Sequence, residues 1–391
     1  MKKKILWLAS WYPNILSPIE GDFLQRHARA VSLMHLITVI FIKKDEKGVI
    51  TKNLKKEITI TGDLTEIIIY YHPIKTGIKL IDRLLSRKKY NRIYRQTLKK
   101  NIEENGKPAL VHVQVALNVI WQALWLKKKY SIPFIISDQW TGYLPEARPN
   151  LDTYHPVYKR WLKKMFKEAA AVSVVSGVLG KAISNRFKIE KYIVIQNVVD
   201  TNIFYPVQKQ LSTVTKFIHV SVLNYQKNAE QIMEAFYQVK NSGHNFQLTI
   251  YGPENFQLKQ LVQDKNLEDY IIFKKEVPQD ILAKDMQQSD ALVLYSRYET
   301  FGCVVIEANA CGIPAILSDL PVFREYIIQN KTGFFAKPND AESLAGTIIK
   351  FIQNKNTFSQ TEIADHTKSN FSYEVIARQF DELYNSVINN S

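Results

Sequence analysis

Glu299 and Glu307 stand eight positions apart in the stretch DALVLYSRYETFGCVVIEANACGIPAILSDLP, residues 290–321. Glu307 falls about one turn inside a helix that should start near Cys303, and a helical side chain leans back toward the N-terminus of its helix. A carboxylate held there can accept two hydrogen bonds from a vicinal diol such as a ribose. Glu299 lies in the loop ahead of the helix, where it can meet whatever group continues beyond. Between the two, the first helical amides have no intrahelical partners and lie at the positive end of the helix dipole, an arrangement that binds phosphate. Gly302 allows a ligand close to the backbone.

The elements that must position these groups are legible around them. An apolar run, Ala291–Leu294, precedes the loop. The turn Cys311-Gly312-Ile313-Pro314 follows the helix, and a second apolar run ends at Ser318-Asp319. This is a strand–loop–helix–strand unit of a parallel sheet, with the carboxylates at the sheet's carboxyl edge, where α/β proteins bind ligands. The same alternation runs through the chain. Strands are expected at Ile5–Ala9, Leu36–Ile42, Ile67–Tyr71, Leu110–Val115, Phe134–Ser137, Ala171–Val175 and Tyr192–Gln196. They resume at Phe217–Leu223, Phe246–Tyr251, Ile271–Phe273, Ala291–Tyr295 and Ala315–Ser318. The polar stretch Gln208–Thr215 has little periodicity and reads as a linker. The expected architecture is α/β, with two doubly wound Rossmann-like domains facing a cleft. Residues 1–204 form the first domain and residues 205–372 the second, with a last helical stretch in residues 373–391.

Composition is consistent with this. A chain of 391 residues with 46% hydrophobic content can bury two cores. Its two cysteines, Cys303 and Cys311, fall on one helix about 12 Å apart, too far for a mutual disulfide. With neither near a histidine in sequence, they read as packing residues in a reducing cytoplasm. The apolar run Ile5–Ala9 is too short for a signal-peptide core. The uncharged stretch Ala109–Leu126 is interrupted by His112, Gln114, Asn118 and Gln122, so a short strand followed by a helix at Asn118–Lys128 is expected there rather than a membrane span.

The segment around Glu299 and Glu307 closely resembles the donor-site signature of retaining nucleotide-sugar glycosyltransferases of family 4, which have the GT-B fold. In that family a loop glutamate contacts the donor sugar, a second glutamate eight positions on binds the ribose, and the amides between them hold the diphosphate. The resemblance implies those roles for Glu299, for Glu307 and for the amides of Gly302, Cys303 and Val304, with Phe301 on the donor side. The turn Ala310-Cys311-Gly312-Ile313-Pro314 completes the signature.

Further matches run along most of the chain. IVIQNVVD, residues 193–200, resembles the family's interdomain segment, with Asn197 and Asp200 matching and Gln196 and Val198 departing from it. HVSVLNYQK, residues 219–227, resembles the strand and loop that usually supply an arginine and a lysine to the diphosphate. Lys227 matches; Val222 stands at the arginine position. Trp11-Tyr12-Pro13 and Gly21-Asp22-Phe23 resemble the first-strand loop that faces the donor phosphates and the acceptor. SDQWTGY, residues 137–143, resembles a strand-end motif whose third residue is commonly histidine and here is Gln139. The resemblance therefore implies Glu299, Lys227 and Gln139 as catalytic. It puts Gly21 and Asn197 on the donor side, Asp22, Trp140 and Tyr143 on the acceptor side, and the last helix, residues 373–391, back across the first domain.

The expected activity is transfer of a sugar from a nucleotide sugar to a glycan or lipid-linked glycan acceptor in envelope polysaccharide synthesis. No cofactor or metal is expected, because the sequence has no G-x-G-x-x-G, no Walker loop, no Asp-x-Asp and no zinc-spaced His/Cys cluster. Two other readings fit the same donor site: a UDP-sugar 2-epimerase and a non-catalytic sugar-nucleotide or glycan-binding protein.

The net charge of +15 points to an anionic partner. Its densest source is Lys75–Lys100, with ten Lys or Arg and one acid, Asp82. Ile78, Ile81, Leu84, Leu85, Ile93, Tyr94 and Leu98 recur in it at roughly helical spacing. Basic helices with an apolar stripe are membrane-surface elements, and a solvated helical hairpin is the alternative. No nucleic-acid motif accompanies the charge. The expected location is the cytoplasm, peripheral on the inner face of the cytoplasmic membrane.

Overall fold

The computed structural model describes residues 2–209 and 212–390. Residues 210 and 211, inside the polar stretch expected as a linker, lie outside the described residues, as do Met1 and Ser391. Two sheets organise the chain. The first begins with β1 (Lys4–Ala9), α1 (Asp22–Ser32), β2 (Leu36–Lys44), β3 (Leu54–Thr61) and β4 (Leu64–Tyr71). It continues with α2 (Lys79–Asn105), β5 (Leu110–Gln114), α3 (Ile120–Tyr130) and β6 (Phe134–Asp138). It closes with α4 (Pro156–Glu168), β7 (Ala171–Val174), α5 (Gly177–Phe187) and β8 (Ile193–Val194). The strand order is β3-β4-β2-β1-β5-β6-β7-β8.

The second half begins with β9 (Thr215–Val220), α6 (Ala229–Asn241), β10 (Phe246–Tyr251), α7 (Phe256–Asp264) and β11 (Ile271–Lys274). Then come α8 (Gln279–Gln287), β12 (Ala291–Leu294), α9 (Cys303–Ala310), β13 (Ala315–Ser318) and β14 (Gly333–Ala336). The chain ends in α10 (Ala341–Asn354), α11 (Gln360–Phe371) and α12 (Tyr373–Ile388). Its sheet runs β11-β10-β9-β12-β13-β14, with every pairing parallel. Central strands such as β5, β6, β12 and β13 are buried along their whole length. Parallel strands covered by helices on both faces bury every side chain, which is why these read in the sequence as unbroken apolar runs.

Three local expectations change. β3 is an edge strand, antiparallel to β4 with Ile58 beside Ile67. Lys55, Lys56 and Glu57 hid it, because edge strands carry charge that interior strands exclude. The strand expected at Tyr192–Gln196 shrinks to two residues. The basic segment is one continuous helix of 27 residues, not a hairpin; no Gly or Pro falls between Lys79 and Asn105 to turn it. Its apolar positions also divide. Ile93, Tyr94 and Leu98 are buried, whereas Ile78, Leu80, Ile81 and Leu84 are exposed.

α12 packs on the first sheet's side of the molecule. Tyr384 Oη lies 2.7 Å from His112 Nδ1 in β5, and Asp381 Oδ1 lies 3.0 Å from His35 Nε2. Phe380 meets the His27 ring edge-on. The carboxyl edges of the two sheets meet across direct contacts. Gln279 Nε2 donates to Asp22 Oδ2 at 2.8 Å, and the Thr300 hydroxyl donates to the Gln139 carbonyl at 3.0 Å. The amides of Gly177 and Val178 donate to the Glu325 carboxylate at 2.8 and 2.9 Å.

Candidate functional site at the facing sheet edges

The helix N-terminus falls where the sequence puts it, with α9 opening at Cys303. Gly302 is its N-cap with φ 88°, a left-handed conformation that side-chain-bearing residues rarely adopt. A Cβ there would also stand 3.0 Å from the Phe323 ring. β12 delivers the loop, and the Ser318 hydroxyl at the end of β13 fixes it by donating to the Ser296 carbonyl at 2.7 Å. The Ser296 hydroxyl in turn donates to Glu299 Oε1 at 2.9 Å. At the far end of α9, Asn309 Nδ2 donates to the carbonyls of Ile313 and Thr332, which ties the following turn to the sheet.

Each of the two glutamates holds one cation. Lys227 Nζ, from the short turn Tyr225–Lys227, donates to Glu299 Oε1. Arg26 Nη1, from α1 on the opposite wall, donates to Glu307 Oε1 at 2.5 Å. Both members of the second pair are buried, with side-chain exposures of 3% and 8%. Burial raises the Glu307 carboxyl above its usual range against the downward pull of Arg26. For Arg26, burial favours the neutral form, but Glu307 and Asp22 outweigh it and hold the guanidinium charged. Burial pushes the Cys303 and Cys311 thiols up to about 12, so neither is a thiolate nucleophile at neutral pH.

Sequence reasoning did not single out Arg26. Its only signal was position: α1 buries Leu24, Ala28 and Val31, and Arg26 and His27 are buried with them. Asp22, expected on the acceptor side, sits beside Arg26 at 3.4 Å and takes the hydrogen bond from Gln279 across the interface. Gly21 has φ 68°, and a Cβ on it would stand 2.8 Å from the Trp11 carbonyl carbon, so the two halves of the first loop lie against each other only with glycine there.

Gln139 lies at the interface, with its carbonyl on Thr300 and its Nε2 3.5 Å from His27 Nδ1. His27 is neutral near pH 7, since burial lowers its pKa to about 4. Asp138 turns the other way and organises the strand ends. It accepts from the amides of Ala116, Gln139 and Trp140 and from the Tyr143 hydroxyl. Burial raises its pKa to about 6.

Three expected site residues occupy different surroundings. Tyr143 is buried among Trp140, Phe166 and Phe187 with its hydroxyl committed to Asp138. Trp140 packs its ring over Gly142 and against Tyr154. Aromatic residues next to a site motif bury more area in a core than on a cleft wall, and here that core wins. Phe301 likewise stacks its ring on Tyr326, 4.6 Å between centroids, while its carbonyl accepts from the Tyr326 hydroxyl. Asn197 is buried, and its side-chain oxygen has no partner. Val222, which stands at the family's arginine position, is half exposed.

Comparison with known proteins bears on the fold and the family. Residues 66–203 match the model of Glycosyltransferase Family 4, and residues 205–368 match that of Glycosyl transferases group 1. N-acetyl-alpha-D-glucosaminyl L-malate synthase of Bacillus anthracis is 27% identical over 174 residues, 44% of this chain and 45% of that protein. An O-antigen chain mannosyltransferase of Salmonella typhimurium is 28% identical over 211 residues, 52% of this chain and 57% of its own length. The chain thus spans about half the length of these curated relatives. Sucrose-phosphate synthase from Thermosynechococcus elongatus superposes over all of both chains with TM-score 0.79 at 20% identity. Anabaena HepE, solved in complex with UDP and glucose, superposes over 98% of this chain and 100% of its own with TM-score 0.71 at 17% identity. With both halves matched and the two-sheet architecture shared, the chain belongs to the glycosyltransferases of GT-B fold.

Proposed function

We propose that the protein is a metal-independent retaining glycosyltransferase that moves a sugar from a nucleotide sugar to a glycan or lipid-linked glycan acceptor. The observation that carries this reading is the convergence of Glu299, Lys227, Glu307 and the first turn of α9 at one sheet edge. Glu307 accepts the ribose hydroxyls. The α9 amides and Lys227 take the diphosphate and stabilise it as it departs, an electrostatic contribution that is usually large. Glu299 orients the donor sugar. Gln139 offers amide hydrogen bonds to a sugar hydroxyl without titrating. A thermal-shift screen of nucleotide sugars tests the reading, because a ligand of the folded state raises its stability. A screen in which no nucleotide sugar moves the melting temperature sinks it.

Transfer is expected to persist in EDTA, since the sequence carries no Asp-x-Asp to hold a divalent ion on the diphosphate. An absolute requirement for manganese or magnesium would show that the phosphates sit elsewhere.

The acceptor side is proposed to work at an anionic membrane surface. Among the described residues no helix is long and apolar enough to cross a membrane. The support lies in α2, whose exposed Ile81 and Leu84 are followed along the helix by Lys88, Arg92, Arg95 and Lys99. These four line a groove of about 490 Å³ together with Trp125 and Lys129 of α3. Like charges at this spacing repel and weaken a helix, and a layer of lipid phosphates would relieve them. Replacing the four with glutamate is expected to abolish co-sedimentation with phosphatidylglycerol vesicles at low salt. Each cation near such a surface contributes about 1 kcal/mol, and donor affinity should be unchanged. Wild-type protein that stays in the supernatant would reduce the patch to a solvated helix face.

A further inference from the structure

We infer that Arg26 of α1 is the second cation of the diphosphate site, supplied from the opposite domain in place of an arginine at Val222. The inference rests on the donor-site reading above. Two carboxylates face the candidate donor, and each is paired with one cation: Glu299 with Lys227, and Glu307 with Arg26. Lys227 stands in the loop that reads as the diphosphate loop. That loop offers no second cation, because residue 222 is valine. A diphosphate held by one lysine and a helix N-terminus is under-neutralised, since a guanidinium fork matches two phosphate oxygens in a way an ammonium does not.

Arg26 has donors to spare. A guanidinium carries five N–H groups. Here Nη1 meets Glu307, Nη2 lies 3.4 Å from Asp22, and Nε is buried with no hydrogen-bond partner at all. An unsatisfied N–H on a buried cation costs free energy that an incoming anion recovers. The group is also near the right place. It pulls the Cys303 thiol, on the first residue of α9, toward ionisation against the effect of burial. A ribose diol that takes both Glu307 oxygens displaces Nη1, and the freed fork then lies beside the α9 amides.

Arg297, a cation of the second domain beside the Tyr225–Lys227 turn, is already committed. Its Nη1 donates to the Tyr225 carbonyl and its Nη2 to Glu230, both at 2.6 Å, and its guanidinium lies over the Tyr225 ring. Because Arg26 belongs to the first domain and Lys227 to the second, a diphosphate between them would bind both walls. Donor binding and closure of the cleft would then be one event.

The test is titration calorimetry of wild type, Arg26→Gln and Arg26→Lys with uridine and adenosine diphosphates and with the matching nucleosides. For whichever diphosphate the wild type binds, Arg26→Gln should lose about tenfold or more in affinity, the scale of one charged hydrogen bond. Nucleoside affinity should stay level or rise as Glu307 is released, and Arg26→Lys should fall between the two for the diphosphate. Retained nucleoside binding also shows that the variant is folded. Unchanged or tighter diphosphate binding in Arg26→Gln would mean that Arg26 only plugs Glu307, and would overturn the inference. Equal losses for nucleoside and diphosphate would overturn it too, as a collapse of the ribose site. Wild-type protein that binds neither diphosphate nor nucleoside removes the donor site itself, a separate failure that takes this inference with it.

Discussion

Lys227→Ala should lower turnover by about 10²–10³, the effect of removing one positioned donor from a developing oxyanion. The side chain is held by Glu299 and is largely shielded from solvent, so its charge acts in a medium less screening than water. Its loss should fall mainly on kcat, because in the proposed reaction charge builds on the leaving diphosphate as the glycosidic bond breaks. Lys227→Arg should retain part of the activity. Single-turnover rates separate this from a binding defect. A variant that turns over as fast as wild type at saturating donor would remove Lys227 from the chemistry and leave it as the partner that orients Glu299.

The second large effect concerns the two glutamates, which should fail in different ways. Glu307→Ala deletes the proposed acceptor of the ribose diol and should weaken nucleoside diphosphate binding by roughly tenfold or more, since charged hydrogen bonds contribute about 1.5–3 kcal/mol each. It should also destabilise the fold. Arg26 would be left buried without its carboxylate, and breaking one partner of a buried pair costs on the order of 3–5 kcal/mol. Glu299→Ala should spare diphosphate affinity and lower turnover with the intact nucleotide sugar, because the role proposed for its carboxylate is to orient the sugar. Calorimetry with the free diphosphate, alongside urea unfolding, reads both predictions. Equal loss of diphosphate affinity in the two variants contradicts the division of roles.

The sequence by itself carried the local unit of the site. Ala291–Leu294, Gly302, the helix from Cys303 and the turn before Pro314 lie within a short span. Their apolar phasing, a glycine at the cap and small residues in the helix leave few conformations open. The doubly wound architecture was legible for the same reason, since strands buried on both faces leave continuous apolar runs. Tertiary structure alone decided which groups meet across distance. Arg26 and Glu307 are 281 residues apart, and Lys227 and Glu299 are 72 apart. Periodicity gives the phase of a side chain on its own element but says nothing about which wall that element will face. Adjacent residues at a strand end show the same limit. Alternation in a strand says that Asp138 and Gln139 point apart, but which of them is buried as a loop anchor depends on the amides of Ala116 and Trp140 that the neighbouring loops bring to Asp138. Trp140, Tyr143 and Phe301 look like wall residues in sequence because they adjoin site motifs, yet the packing of other elements around them draws their rings into the core. The unity of α2 was a local matter, set by the absence of any breaker. Which end of it stays exposed was settled by where α3 and the first sheet cover it, and a linear pattern of apolar and basic residues does not contain that information.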